Sequence, residues 1–472
     1  MLKVAFLHYH AKPGGVTRVI EQQMQALRED ADCILLAGNG GFDQNKNKVL
    51  IVPGVGYDGV RSEEPPKKTA EEIIKALQSR WPSGCDVLHV HNPLLRKNRD
   101  FLTVLNILKE RGVRLFLQIH DTAEDLRPAS YYFNDEYPED CHYAVINARD
   151  YSIFLKAGLK PEGLHLLPNS VAPLVNVSTP INQEPSIQKP AKWFLYAVRA
   201  IRRKNIGEAL LLSCFLPEPF LIGITLPPTS PSDYPSYEQW KAFALSEHLS
   251  IQFELGLQFS LEELIQDTYA MVTTSVREGF GFAFLESWTA FKPLVGRRIP
   301  HVAEDFTHQG VDLSTLYPEF LIPLDEISEE TAKARWSWMI RETFAQYGLT
   351  IDEDLLNLEW KNLTREGSID FPYLHPTIAR EFIRRCKAEE NLKSRLCTLN
   401  PFLGDLLSVS EKMELIRSNR EAILRAYSLK KYRERLLDLY KIVQTKEVSQ
   451  KINKRELLKS FLEPKGFYLG GM

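Results

Sequence analysis

Through the first half of the chain, short apolar or β-branched runs alternate with stretches whose apolar residues recur at helical spacing. The runs predict strands at 2–8, 33–37, 49–52, 86–91, 113–119 and 143–146, and the periodic stretches predict helices at 15–29, 69–80 and 99–111. Strands that alternate with helices in this way are those of a parallel sheet covered by helices. Residues 172–192 break the pattern, being rich in Pro, Ser, Asn and Gln, and read as a linker. A second alternating set follows, with strands at 193–198, 219–225, 251–255, 270–274 and 293–296 and helices at 205–215, 238–248, 260–267 and 280–291. From about 300 the pattern becomes helical and irregular. The run 419–445 is helical but interrupted at Tyr427-Ser428, where Ser428 can cap a new helix.

The fold class expected is therefore α/β: two Rossmann-like parallel-sheet domains facing a cleft, with an added helical C-terminal region. The boundaries expected are 1–175 for the N-terminal domain, 176–192 for the linker, and 193–425 for the C-terminal domain with a helical insertion at about 330–418. Residues 426–472 are expected to form closing helices and a tail that partly return to the N-terminal domain. A chain of 472 residues with 44% hydrophobic content has material for two cores. The net charge of −3 gives no general attraction to nucleic acid. Six scattered cysteines, without paired CxxC spacing, read as reduced thiols and not as a zinc or redox site. No apolar run is long enough to span a bilayer, and the first apolar run is too short for a signal peptide, so a cytoplasmic protein is expected. Peripheral membrane contact is left open by the segment KINKRELLKSFL, a weak amphipathic candidate.

Ligands of open parallel sheets bind beyond the carboxyl ends of the strands, so the chemistry is sought there. The segment Thr273–Glu286 reads as a strand end, a glycine loop and a helix start. Gly279 and Gly281 around Phe280 let backbone approach a ligand, and backbone N–H groups at a helix start suit a diphosphate. Glu278 and Glu286 can accept hydrogen bonds from hydroxyl pairs, as sugar recognition requires. On a helix beginning near Phe280, Glu286 faces Phe282, Ala283 and Ala290, an expensive place for an unused carboxylate. A second strand end carries Arg199, Arg202, Arg203 and Lys204, in which Arg199 and Lys204 can share a phosphate ligand. Taken alone, such a cluster is more often a solvated basic loop. In the first half, Gly15 opens a helix after Pro13-Gly14, and His120-Asp121, His10 and the His89, His91, Asn92 group close strands. The HxH pair lacks a carboxylate partner and is a poor metal site.

In order along the chain, GGVTRVIEQQMQAL, DVLHVHNP, LQIHD, LHLLPNSV, VRAIRRKN and REGFGFAFLE resemble the family-4 retaining glycosyltransferases of GT-B fold, also called glycosyl transferases group 1. The resemblance covers roughly 1–300, and NREAILRAYSLKKYRERLLDLY is similar to the family's closing helices. It implies transfer of a hexosyl group from a UDP- or GDP-linked sugar to a hydroxyl acceptor, a small soluble one being among those it admits, with retention of configuration. No cofactor and no metal would be needed, because Arg199 and Lys204 would stabilise the departing diphosphate. Glu278 would lie by the transferred sugar and Glu286 by the ribose. Gly15 and the Gly279-Phe280-Gly281 backbone would meet sugar and phosphate, and His120 the donor sugar. His10, His91, Arg96 and Asn169 are the acceptor-side candidates.

The chain departs from the family at Val198 and Asn205, where glycine is common, and at Arg297-Arg298-Ile299-Pro300-His301, where small residues are usual. Fold alone does not decide reaction, so a nucleotide-sugar epimerase, a phosphorylase and a catalytically silent binding module are the alternatives. A retaining glycosidase is disfavoured by the spacing of its two carboxylates.

Overall fold

The computed structural model describes residues 1–40, 48–174, 192–408 and 412–471. All of the expected linker except Lys192 lies outside them. The chain forms two compact units: Met1–Ser170 with Arg425–Glu463, and Val171–Leu424 with Pro464–Met472.

In unit 1 the strands are β1 (Leu2–His8), β2 (Ala31–Ala37), β3 (Val49–Ile51), β4 (Val87–His91), β5 (Leu115–Ile119), β6 (His142–Val145) and β7 (Leu164–Leu166). They make one seven-stranded sheet in the order β3-β2-β1-β4-β5-β6-β7, parallel at every pairing. Helices α1 (Gly15–Ala26), α2 (Pro66–Arg80), α3 (Phe101–Glu110) and α4 (Ala148–Lys156) connect them. The last strand and α4 were not foreseen from the sequence pattern. Side chains alternate across a strand, so β1 sends Ala5 and Leu7 into one core with Ile73, Leu105 and Phe154, and Val4 and Phe6 into the other with Ile20, Leu35 and Phe116.

Unit 2 repeats the plan. Its sheet contains β8 (Trp193–Arg199), β9 (Leu221–Leu226), β10 (Ile251–Gln252), β11 (Thr268–Thr273), β12 (Leu294–Arg297) and β13 (Leu316–Tyr317), in the order β10-β9-β8-β11-β12-β13 and again parallel. Between them run α5 (Ile206–Ser213), α6 (Tyr234–Ser246), α7 (Leu261–Gln266), α8 (Ala283–Thr289) and α9 (Pro300–Thr307). Beyond the sheet, β14 (Leu321–Pro323) pairs antiparallel with β15 (Ser368–Asp370), amid α10 (Glu329–Gln346), α11 (Glu353–Leu363), α12 (Pro376–Ala388) and α13 (Glu390–Leu399). Helices α12 and α13 are separate because Glu389 between them takes extended dihedrals (φ −109°, ψ 104°).

The chain ends with α14 (Met413–Tyr427), α15 (Leu429–Thr445) and α16 (Lys454–Phe461). The break falls at Ser428, whose side chain accepts from Lys431 N, so the cap read in the sequence is present. Helix α15 buries Tyr432, Leu436, Tyr440 and Val443, one helical stripe, in the core beside β1. Helix α16 corrects the reading of KINKRELLKSFL as a possible membrane patch: Leu457 and Phe461 belong to the core that holds Ala5 and Leu7. That apolar face is therefore already covered. No helix among the described residues is long and apolar enough to cross a membrane.

Both sheets reverse strand order once, between β1 and β4 and between β8 and β11. The crevice outside the strand ends at such a point is where ligands of this architecture bind. In unit 1 those ends are His8 and His91; in unit 2 they are Arg199 and Thr273.

Candidate active site

In unit 2, the chain leaves β8 at Arg199 and makes a short 3-10 turn over Arg202–Lys204 before α5. Asn205 joins turn to helix in the left-handed region (φ 50°). Asparagine tolerates that conformation better than most side chains, so its presence where the family resemblance led to an expectation of glycine fits. The Lys204 carbonyl is fixed by Tyr196 Oη at 2.8 Å and Thr274 Oγ1 at 3.0 Å, and Tyr196 Oη also meets Ser275 Oγ at 2.9 Å. These bonds tie the turn to the end of β11. The Lys204 ammonium then donates to Glu278 Oε1, and the two side chains are 13% and 8% exposed.

Burial acts against both charges. For Glu278 it is outweighed by the charges of Lys204 and Arg203 and by hydrogen bonds from Lys204 and Ser275, which hold the carboxyl below its usual range. Burial draws the Lys204 ammonium below its usual value, against the pull of Glu278 and with Arg203 adding like charge. Arg203 is thus a third charge at this point, and the sequence reading passed over it in favour of Arg199. Its signal was its position next to Lys204. Arg199 itself is exposed and makes no side-chain hydrogen bond or ion pair with another described residue. It stands at the same strand end as Lys204 but outside the buried pair.

The glycine loop corrects one expectation. Helix α8 begins at Ala283 and not near Phe280, and it has only seven residues. Glu286 therefore lies in its first turn, half-buried, about 4.5 Å along the axis from Ala283. Gly279 is half-buried, Phe280 is buried against Phe306, and Gly281 has φ +85°. A Cβ on Gly281 would stand 2.7 Å from Val302 Cγ1 and 3.0 Å from Phe284 Cδ2. Both the dihedral and the space call for glycine. Gly281→Ala is expected to cost about 1–3 kcal/mol, read as a lower melting temperature; an unchanged melting curve would show that the loop is not constrained there.

In unit 1, Gly15 is the first residue of α1, and Gly14 before it offers no side-chain cap. His10 is half-buried and its Nδ1 accepts from Lys12 N at 3.2 Å. Arg96 is exposed. His91 and Asn169, expected on the acceptor side, are 0% and 2% exposed, which leaves His91 no surface for direct acceptor contact. Instead His91 Nδ1 lies 2.9 Å from His120 Nε2, and the two ring planes are within 7°. Asn92, at φ 52°, receives the backbone N–H of His120 at 2.7 Å and of Asp121 at 3.1 Å on its Oδ1. His89 contacts Tyr440 Oη through Nδ1 at 2.8 Å. Burial lowers His120 to about 4 and His89 to about 3, and draws His91 well down, so the column is neutral at pH 7. Among the described residues, no group of three or more His, Cys, Asp or Glu side chains is placed to hold a metal ion. All six cysteines are free thiols, with Cys397 exposed.

The chain matches no family model. It is 26% identical to the mannosylglucosyl-3-phosphoglycerate synthase of Petrotoga mobilis, over 98% of each chain. Among solved structures it is similar to Anabaena HepE in complex with UDP-glucose, with a TM-score of 0.56 at 12% identity, covering 93% of this chain and 100% of that one. It is likewise similar to the sucrose-phosphate synthase of Thermosynechococcus elongatus, with a TM-score of 0.52 at 12% identity over 93% and 98% of the two chains. With two parallel sheets of matching strand order and these structural neighbours, the chain has the fold of the GT-B glycosyltransferases.

Proposed function

We propose that the protein is a retaining glycosyltransferase that moves a hexosyl group from a nucleotide diphosphate sugar to a hydroxyl of a small anionic acceptor. The observation that carries this reading is the buried Lys204–Glu278 pair at the reversal point of the unit 2 sheet, with Arg203 charged beside it and Arg199 at the same strand end. An ammonium has three N–H donors. One goes to Glu278, and the others suit diphosphate oxygens. Arg199 and Arg203 add charge where the leaving group becomes more negative, the moment at which fixed cations lower a barrier. Glu278 serves the sugar, Glu286 the ribose hydroxyls, and the Gly279-Phe280-Gly281 backbone the sugar and phosphate. In unit 1, the Gly15 backbone N–H at the start of α1 and the His120 imidazole just after β5 are the candidate groups for sugar and phosphate.

The full-length likeness to a synthase named for mannosylglucosyl-3-phosphoglycerate supports an acceptor of that class, a sugar bearing phosphate and carboxylate groups. Arg96, exposed in unit 1, and His10 suit such an anion. UDP- and GDP-linked hexoses are both candidate donors, and screening them against glucosyl-3-phosphoglycerate, 3-phosphoglycerate and neutral sugars tests the proposal by release of UDP or GDP. Acceptor-dependent release with retention at the new bond is the expected result. Release of nucleotide from no donor with any acceptor would overturn it. Because lysine and arginine carry the charge, turnover is expected to persist in excess EDTA, and complete loss would require a metal in the mechanism.

A further inference from the structure

We infer that His91 is a positioning residue that holds His120 as the Nδ1–H tautomer, so that the imidazole at the end of β5 is a hydrogen-bond donor and not an acceptor. The inference rests on the reading that His120 belongs to the substrate site; the tautomer itself does not. His91 ends β4 and His120 follows the neighbouring strand β5, and their rings are nearly parallel with Nδ1 and Nε2 2.9 Å apart. Two neutral imidazoles at that distance share one proton. If His120 donated it, His91 would have to be protonated on Nδ1's opposite atom, Nε2. That atom is buried and has no hydrogen-bond partner among the described residues. A buried N–H without an acceptor is rarer in folded proteins than an unused acceptor. Either arrangement leaves one ring N–H without a partner among the described residues; the one that keeps it off the buried His91 Nε2 is His91 Nδ1–H donating to His120 Nε2, with the His91 Nε2 lone pair unused and the unpartnered N–H on His120, which keeps 6% of its surface exposed. His120 must then carry its own proton on Nδ1.

Nothing in the surroundings invites a different state. Burial keeps both rings neutral at pH 7, with the nearby Asp121 opposing that effect only in part at His120. The His91 ring is held by stacking on His89, with centroids 4.5 Å apart, and His89 is in turn fixed by Tyr440 of α15. On the other side, Asn92 Oδ1 fixes the backbone of His120 and Asp121. His120 Nδ1 makes no hydrogen bond to another described residue, and the residue keeps 6% of its surface exposed. A donor at that atom recognises an oxygen with lone pairs, such as a sugar hydroxyl acting as acceptor or a phosphoryl oxygen. It cannot act as a base toward a hydroxyl proton.

The test is a long-range proton–nitrogen spectrum of the full chain labelled with 15N in its histidine rings, with His120 assigned by its loss in His120→Asn. The expected spectrum shows His120 Nδ1 in the protonated range and Nε2 in the unprotonated range; the reverse pattern overturns the proposal. His91→Phe keeps the ring volume and the stacking but cannot donate. It is expected to release His120 toward the Nε2–H form and to lower turnover about tenfold. His91→Asn, whose amide can place an N–H near the lost Nδ1, is expected to recover most of that loss. A His91→Phe protein with the wild-type His120 tautomer overturns the positioning role, and if that variant does not fold the wild-type spectrum decides alone. Failure to find any transferase activity would remove the proposed function but leave the tautomer readable.

Discussion

Lys204→Ala is expected to lower turnover by about 10²–10³-fold, the usual consequence of removing one fixed group that stabilises charge developing in the transition state. The loss should appear in kcat more than in KM, because the extra negative charge exists only as the bond to the leaving group breaks. Removing Lys204 also leaves Glu278 buried with Arg203 as its remaining cation. Breaking a buried pair from one side is destabilising, so the measurement must include a melting curve. The double variant Lys204→Met with Glu278→Gln removes the stranded charge and is expected to restore stability without restoring turnover. That separation distinguishes a chemical role from a structural one. Near wild-type kcat in Lys204→Ala would remove the residue from the proposed mechanism.

The two-sheet plan was legible because its strands are nearly unbroken apolar runs, and such runs with helices between them have few solutions. The strand ends then named themselves as the place for chemistry. Which side chains meet there was not legible to the same degree. Glu278 and Lys204 are separated by seventy-four positions, and only the pairing of β8 with β11 brings them together. Arg199 and Arg203 are the same residue type at almost the same position, yet one is exposed and the other is half-buried with its charge felt by the pair. The difference comes from the 3-10 turn over Arg202–Lys204, and a single-turn element leaves no periodicity to read. His91 was read as a ligand-facing residue because it closes a strand. Its side chain is instead buried, stacked on His89 and within hydrogen-bond distance of His120. Helix α8 was placed three residues early because Phe280 continues the apolar spacing, whereas Gly281 at φ +85° cannot be helical.

Arg297 stands where small residues were anticipated, and it makes the larger prediction for stability. Its guanidinium donates to Glu208 Oε2 at 2.7 Å and to both Asp370 oxygens at 2.7 Å, and all three residues are at most 5% exposed. Tyr317 Oη adds a bond to Glu208 Oε1 at 2.8 Å, and Asn205 Nδ2 one to Glu208 Oε2 at 2.9 Å. Arg297→Met would strand two buried carboxylates, with an expected cost on the order of 3–5 kcal/mol. For a unit of this size that corresponds to a fall of roughly 10 °C in its melting transition by calorimetry. Lysine cannot substitute, because it lacks the planar fork that serves two carboxylates at once. The triple change Arg297→Met, Glu208→Gln, Asp370→Asn is expected to recover much of the loss, since no charge is then left unpaired. The effect should also reach the candidate site, because Asn205 is the residue next to Lys204 and is held by Glu208. A raised KM for the donor in Arg297→Met, under conditions where the protein remains folded, is the expected functional trace. A melting temperature within about 2 °C of wild type would mean that the carboxylates find other partners or protonate, and that the network does not hold the turn.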